Sequence, residues 1–373
     1  MITWQDFSTP VGLYKALPPD WPVNYWWHFA FFTVAILVFV IAMVLAAIYI
    51  ERRGMGRMQS RLGPNRTGPF GLLQPIADAV KVLLKENLVP AAADKPIHWL
   101  APIIAFFPVL LIFAVVPFQN GALLADLSIG ILYVVAISSV STVGVFMAGW
   151  GSSNKYSLLG AMRNVAAVVS YEIPLALSVV GVVLIAGSLS LNDIVLGQHI
   201  PFILLQPLGF LIFFTAGCAE INRSPFDLME ADSEIVAGFH TEYSGMKFAM
   251  FYLVEYAEAI ALSAIITTLF LGGWKGWWLP PWLWFIIKTL VVFFVMVWTR
   301  TTLPRVRIDQ LMALAWKFLF PLALLNLFIT AAQVLVWPDG LPWVAVIINI
   351  AIMVALVVIW SRFFKVGWGR VNV

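Results

Sequence analysis

"HFAFFTVAILVFVIAMVLAAIYIERRGMGR", residues 28–57, decides the fold. No Asp, Glu, Lys or Arg interrupts residues 28–50. A helix of that length, rising 1.5 Å per residue, crosses a hydrocarbon layer ~30 Å thick. The charges begin at once afterwards, with Glu51, Arg52, Arg53 and Arg57. The segment reads as one membrane crossing that stops on a basic face. Comparable apolar runs recur at 98–117, 128–149, 161–187, 203–220, 249–272, 282–299, 315–337 and 342–363. Backbone polar groups in lipid must be satisfied within the segment, so such runs fold as helices. The expectation is an all-α polytopic membrane protein with about nine transmembrane helices, forming a single transmembrane bundle over residues 1–373. Composition agrees: 62% hydrophobic and 11% charged residues, with a mean hydropathy of +0.93, lie far from the roughly 25% charged residues of soluble domains.

Charge placement orients the chain. With the N-terminus outside, the outer segments hold only Lys15 and Lys275, and Lys288 lies within a span. All other Lys and Arg of the 22 fall on inner segments. This is the positive-inside pattern of a bacterial inner membrane or an organellar one, and it requires an odd number of spans. The net charge of +3 then reflects insertion and contact with the lipid bilayer, and implies no nucleic acid. Asp6 and Asp20, with no basic segment before an apolar core, do not resemble a signal peptide. The pairs Trp26/Trp27 and Trp277/Trp278 fall where interfacial aromatic belts belong.

Cys218 is the sole cysteine, so the chain has no disulfide and no cysteine cluster for iron–sulfur chemistry. No glycine-rich nucleotide loop and no His pair at metal-ligand spacing is present, and no internal repeat stands out. A redox centre or metal site within this chain is not expected.

The inner connections are read as long, at 51–97, 150–160, 221–248 and 300–314, and the outer ones as short. In the first, Leu72, Leu73, Ile76, Ala79, Val80, Leu83 and Leu84 recur at helical spacing, with Asp78, Lys81, Lys85 and Glu86 largely opposite. The spacing predicts an amphipathic helix over 72–86 lying in the interface. The third holds "AEINRSPFDLMEADSEIVAGFHTEYSG", residues 219–245, with six of the chain's 19 acids: Glu220, Asp227, Glu230, Asp232, Glu234 and Glu242. Asp227 with Glu230 resembles a capping box, which accounts for two of them. A solvated acidic face would account for the rest equally well.

Acids within the spans are harder to explain by solvation. Glu172 is about eleven residues into its run, near mid-membrane, where a charge costs on the order of 3 kcal/mol unless paired, protonated or wetted. Pro174 follows it and removes a backbone hydrogen bond from that helix. Glu255 and Glu258 share a helical face, with Tyr256 between them, and Glu220 ends another span. A structural hydrogen bond between helices explains one such acid. A series of them that starts at an acidic inner loop is what a proton path requires.

Two stretches resemble the signature regions of one family: "IERRGMGRMQSRLGPNRTGPFGLLQPIADAVKVLLKE" and "AEINRSPFDLMEADSEIVAGFHTEYSGMKFAMFYLVEYAE". The family is that of a membrane subunit of respiratory complex I, the proton-pumping NADH:quinone oxidoreductase, and comprises the bacterial counterparts of subunit 1 of mitochondrial NADH dehydrogenase. "GWGSSNKYSLLGAMRNVAAVVSYE" resembles a third signature, and the match runs through about residues 49–320. The resemblance implies a subunit that docks on the quinone-site subunits of the redox arm. It implies a quinone (ubiquinone or menaquinone) as the substrate bound at that interface, with NADH, FMN and iron–sulfur clusters in partner subunits. Among the coupling residues it implies the loop acids Asp227, Glu230, Asp232 and Glu234, the buried Glu220, Glu172 and Glu255 with Tyr256, and the basic Arg300. Around the quinone entrance it implies Glu51, Arg52, Asp78, Lys81, Phe226 and Asp227. Ser139 stands where some bacterial relatives have Glu, so a hydroxyl and water would replace a carboxylate there. Asp232 stands where Glu is common. The resemblance extends to ferredoxin- or hydrogenase-linked complexes, which the residues do not separate from the NADH-linked one. An independent ion transporter and a purely structural anchor are the readings from other classes. The missing repeats disfavour the first, and Glu172 the second.

Overall fold

The computed structural model describes residues 25–120, 125–228, 235–337 and 342–363, and side chains from residue 33 onward. Helix α1 is Tyr25–Met58, α2 Gln74–Leu83, α3 Lys95–Val115, α4 Gly130–Gly151 and α5 Lys155–Ala186. The short α6 (Leu191–Gly197) and α7 (Phe202–Leu205) follow, then α8 (Pro207–Glu220), α9 (Gly245–Phe270), α10 (Pro281–Thr302), α11 (Ile308–Val336) and α12 (Trp343–Phe363). Seven of these are long and apolar enough to cross a membrane, and α8 and Trp343–Ile359 are shorter apolar helices. The nine apolar runs of the sequence thus all become helices, and the fold is the expected all-α polytopic bundle.

The central element is α9. Every residue from Ala259 to Phe270 is buried, which is what a helix that is apolar on all sides requires. Its hydroxyls are satisfied within the helix: Ser263 donates to the Ala259 carbonyl at 2.7 Å and Thr267 to the Ser263 carbonyl at 2.8 Å. Helices α1, α3 and α10 pack around it, while α5 packs against α4, α8 and α11. At the α3–α4 crossing, a Cβ added to Gly144 would lie 2.6 Å from the Ala105 backbone nitrogen. Small residues at such crossings let two backbones approach without a hydrophobic driving force between helices. Gly144→Ala is therefore expected to cost about 1–3 kcal/mol through overpacking. The measurement is the midpoint of thermal unfolding in detergent, and an unchanged midpoint would contradict this crossing.

Four boundaries differ from the sequence reading, each for a local reason. The fifth span is not one helix over 203–220, because Gln206 leaves helical geometry and Pro207 starts α8 afresh. Proline lacks an N–H and suits the first helical position. The connection read as an inner loop at 150–160 shrinks to 152–154, since Asn154 caps α5 by accepting from the Tyr156 N–H at 2.9 Å. The outer connection from α5 to α8 is not short but carries α6 and α7. The amphipathic helix is Gln74–Leu83, preceded by a 3-10 turn at Pro69–Gly71 in which Phe70 has φ 56°. Leu72, Leu73, Ile76, Val80, Leu83 and Leu84 are all exposed along it, an apolar stripe left uncovered among the described residues, as an interfacial helix presents.

At the opposite side of the bundle from α2, Lys288 donates to the carbonyls of Leu271, Gly273 and Lys275 at 2.8, 3.0 and 2.7 Å. A cation thus sits on the C-terminal end of α9, where the helix dipole favours it. Trp277 and Trp278, 94% and 83% exposed, stand beside it as an aromatic belt would. Asp6, Lys15, Asp20 and the side chains of Trp26 and Trp27 lie outside the described residues, as do Glu230, Asp232 and Glu234.

Candidate functional site

Where α1, α9 and α10 approach the loop after α8, charges are gathered in the protein interior. Glu51, on α1, is fully buried. Arg223 Nη1 donates to its Oε2 at 2.8 Å, and Arg300 Nη1, from α10, to its Oε1 at 2.5 Å. Arg223 is itself 4% exposed, lies 3.2 Å by its Nε from Glu255 Oε1 on α9, and stacks over the Tyr256 ring at 4.3 Å. The Tyr252 and Tyr256 hydroxyls share a hydrogen bond at 3.1 Å. Burial by itself works against the Arg223 charge, but Glu255 and Glu51 outweigh it, and the net pKa lies above its ordinary value. One arginine therefore serves two carboxylates from different helices, and one of these is shared with a second arginine.

The loop is positioned for this by its own contacts. The Arg223 N–H returns to the Cys218 carbonyl at 3.0 Å, and the Val306 N–H donates to the Pro225 carbonyl at 3.0 Å. Phe226 is buried and packs on Tyr171 of α5 at 5.7 Å between ring centres. Tyr171 in turn donates to the Leu311 carbonyl at 2.9 Å, beside a π-helical turn at Leu314–Leu319. Asp227 accepts from Arg305 Nη2 at 3.0 Å. Its partner in the expected capping box, Glu230, is not described, and the contact Asp227 makes is an ion pair across the loop.

Two cavities adjoin this network. The first, about 550 Å³, is a cleft lined by Asp227, Asn164, His240, Glu255, Glu220 and Glu258, among others. His240 lies in the 3-10 turn Gly238–Glu242, and burial pushes its imidazole down to about 3, so it is neutral. The second, about 610 Å³, runs between α3, α4, α5, α8 and α9 and is apolar except for Ser138, Ser141, Glu220 and Glu258. The two share Ser141, Glu220, Ile221 and Glu258. Ser138 and Ser141 line the apolar cavity with Glu220 and Glu258, and their hydroxyls donate to the Val135 and Ser138 carbonyls at 3.0 Å each. Glu172 is half-buried on α5 and lies outside the lining of both cavities.

The expected site residues therefore divide. Glu220, Asp227, Glu255, Tyr256 and Arg300 come together, and Glu51 joins them from the interior, not from a surface entrance. Arg52 instead pairs with Asp78, which also accepts from Gln74 Nε2 at 3.1 Å, tying the end of α1 to α2. Lys81 is exposed on α2, one helical turn from Asp78. Phe226 packs inward. Sequence reading takes Arg223 only as a counter-ion of the acids in 219–245 and not as a site residue, and does not single out Ser138 and Ser141, although both lie close to Ser139. Among the described residues, no three His, Cys, Asp or Glu side chains gather as metal ligands.

A helical bundle of this kind, with arginines paired to carboxylates in its interior beside a cleft that leads to further acids, belongs to the class of polytopic membrane proteins. The NADH dehydrogenase family profile matches residues 31–331. The chain is similar to an NADH-quinone oxidoreductase subunit of Dehalococcoides mccartyi strain CBDB1, 61% identical over 350 residues, which are 94% of this chain and 99% of the relative. The equivalent NADH-quinone oxidoreductase subunit of Geobacillus kaustophilus strain HTA426 is 53% identical over 302 residues, 79% of this chain and 91% of the relative. The chain belongs to the NADH dehydrogenase family.

Proposed function

We propose that the chain is the membrane subunit of a proton-translocating NADH:quinone oxidoreductase that forms the entrance to the quinone chamber and couples quinone reduction to proton movement. It works beside other membrane subunits and the quinone-site subunits of the redox arm, which carry the FMN and iron–sulfur clusters that NADH reduces. The basic ends of α1, α5 and α10 face the cytoplasm, so the cleft opens toward the redox arm. The observation that carries this reading is the pair of cavities meeting at Glu220 and Glu258. Polar groups line the cleft on one side of that meeting, and an apolar space lies on the other.

The chemistry follows from charge balance. Arg223 is held between Glu51 and Glu255, with Arg300 able to satisfy Glu51 alone. A change of charge near the loop, such as a quinone taking up electrons and protons, alters where Arg223 rests. Glu255 then stays ionised only if another cation takes the place of Arg223, and otherwise takes up a proton and becomes neutral. Glu255 faces the cleft one helical turn from Glu258, and Glu258 faces Glu220, so the displaced charge has a defined route inward. Arg52, Asp78 and the exposed stripe of α2 shape the lipid-side mouth through which an apolar quinone would enter. The loop acids Glu230, Asp232 and Glu234, outside the described residues, remain part of this reading on the family resemblance alone.

Glu172→Gln tests the far end of the route. The expected variant assembles and transfers electrons from NADH to an artificial acceptor at parental rate, while quinone-coupled proton pumping falls several-fold. Normal pumping stoichiometry in that variant would remove Glu172 from the path.

A further inference from the structure

Distant from these acids, the bundle carries a second polar cluster made only of uncharged groups. The break between α7 and α8 turns the Leu205 carbonyl toward α12, where Asn349 Nδ2 donates to it at 2.5 Å. Asn349 and Gln333 of α11 exchange two hydrogen bonds, at 2.5 and 3.1 Å. Beside them the Thr330 hydroxyl donates to the Asn326 carbonyl at 2.8 Å, and so accepts from Gln206 Nε2 at 2.9 Å. This order of donors fixes the Gln206 amide, with its Oε1 directed away from Thr330. Gln206 Oε1 has no hydrogen-bond partner among the described residues, and neither has Asn326 Nδ2. Both residues are more than nine-tenths buried, at 3% and 6% exposed.

The two atoms flank one space. A methyl group added to Gly209 of α8 would lie 3.2 Å from both Asn326 Nδ2 and Gln206 Oε1. One added to Gly181 of α5 would lie 3.5 and 3.3 Å from them. A small cavity lined by Gln206, Asn326, Thr330 and Asn349 lies against the same two side chains. An unpaired donor and an unpaired acceptor are costly in an interior without water, and a buried water needs little more than one molecule's space and two to four polar partners.

We propose that the space beside Gly181 and Gly209 binds a single water molecule, which donates to Gln206 Oε1 and accepts from Asn326 Nδ2. We further infer that this hydrated amide cluster, joining α5, α8, α11 and α12, is a proton-inert plug. All its partners are amides, a hydroxyl or backbone carbonyls, none of which titrates near neutral pH. An amide passes a proton on only by becoming its imidic acid, so a water held by one on each side is ordered without relaying. Between the plug and Glu220 lie the apolar walls of the second cavity, Val179 of α5 and Phe213 of α8 among them. A chain that brings acids to mid-membrane needs such a stop on the far side.

Two experiments on the intact complex test this without quinone turnover, so they are independent of the coupling route. A cryo-EM map that resolves ordered waters is expected to show one about 3 Å from both Gln206 Oε1 and Asn326 Nδ2. An empty space there overturns the water site. In liposomes loaded with a pH-sensitive dye, Asn326→Asp is expected to raise passive proton leak several-fold, while Asn326→Leu leaks at the parental rate. Leak unchanged by Asn326→Asp overturns the plug. Should that variant not assemble, Gln206→Glu puts the carboxyl on the opposite partner and reads the same leak.

Discussion

Arg223→Met is expected to abolish accumulation of the assembled complex in the membrane. The substitution keeps much of the side-chain volume but leaves Glu255 without its nearest cation and Glu51 with Arg300 alone. Removing one partner from a buried ion pair costs about 3–5 kcal/mol, because the other charge stays behind without water. Here the stranded groups belong to α1 and α9, the helices that frame the site, and total stabilities of about 5–15 kcal/mol leave little margin. Arg223→Lys is expected to retain part of the complex, since an ammonium reaches one carboxylate but cannot span two as the guanidinium does. The decisive comparison is the charge-balanced variant Arg223→Met with Glu255→Gln, which removes both members of the pair. It is expected to recover most of the assembled complex on a native gel while remaining inactive in quinone-coupled pumping. Parental amounts of the Arg223→Met complex would show that other groups hold these carboxylates.

How much of this was legible beforehand depends on sequence distance. The spans read out because each needs only its own residues, and the acids Glu172, Glu220 and Glu255 read out because a carboxylate in an apolar run is anomalous wherever it points. Arg223 did not, since its meaning comes from Glu51, 172 residues away, and a lone arginine in an acidic stretch looks like a surface counter-ion. Ser139 was singled out by its position relative to the family pattern, whereas Ser138 and Ser141 are the serines of α4 that line the apolar cavity. These two are one helical turn apart and share a face of α4, while Ser139 lies about 100° round from Ser138, and all three hydroxyls donate to the carbonyl three residues back. The break at Gln206 was visible as Pro207, but an apolar run that continues past a proline reads as a single span. The amide cluster around Gln206 draws on four separate segments and had no local signal.

Glu258→Gln is expected to produce the largest loss of function without loss of fold. Glu258 lines both cavities, so the exposure it retains is to internal space, and a neutral amide of the same shape is compatible with that wall. Gln fills the same volume, so the cavity wall around it survives. It cannot, however, take up and release a proton, and the route from Glu255 to Glu220 then has no titratable group in the step where polar lining gives way to apolar. Proton delivery through a relay fails at its missing member, unlike an electrostatic field, which weakens in proportion. Quinone-coupled pumping should therefore fall at least tenfold, while NADH oxidation by an artificial acceptor stays at the parental rate. Glu258→Asp should restore a measurable fraction, because a shorter carboxyl plus one bridging water spans the same gap. Equal pumping in the Gln and Asp variants would mean that Glu258 acts through its shape and polarity alone, and the two cavities would then be joined by packing and not by a proton.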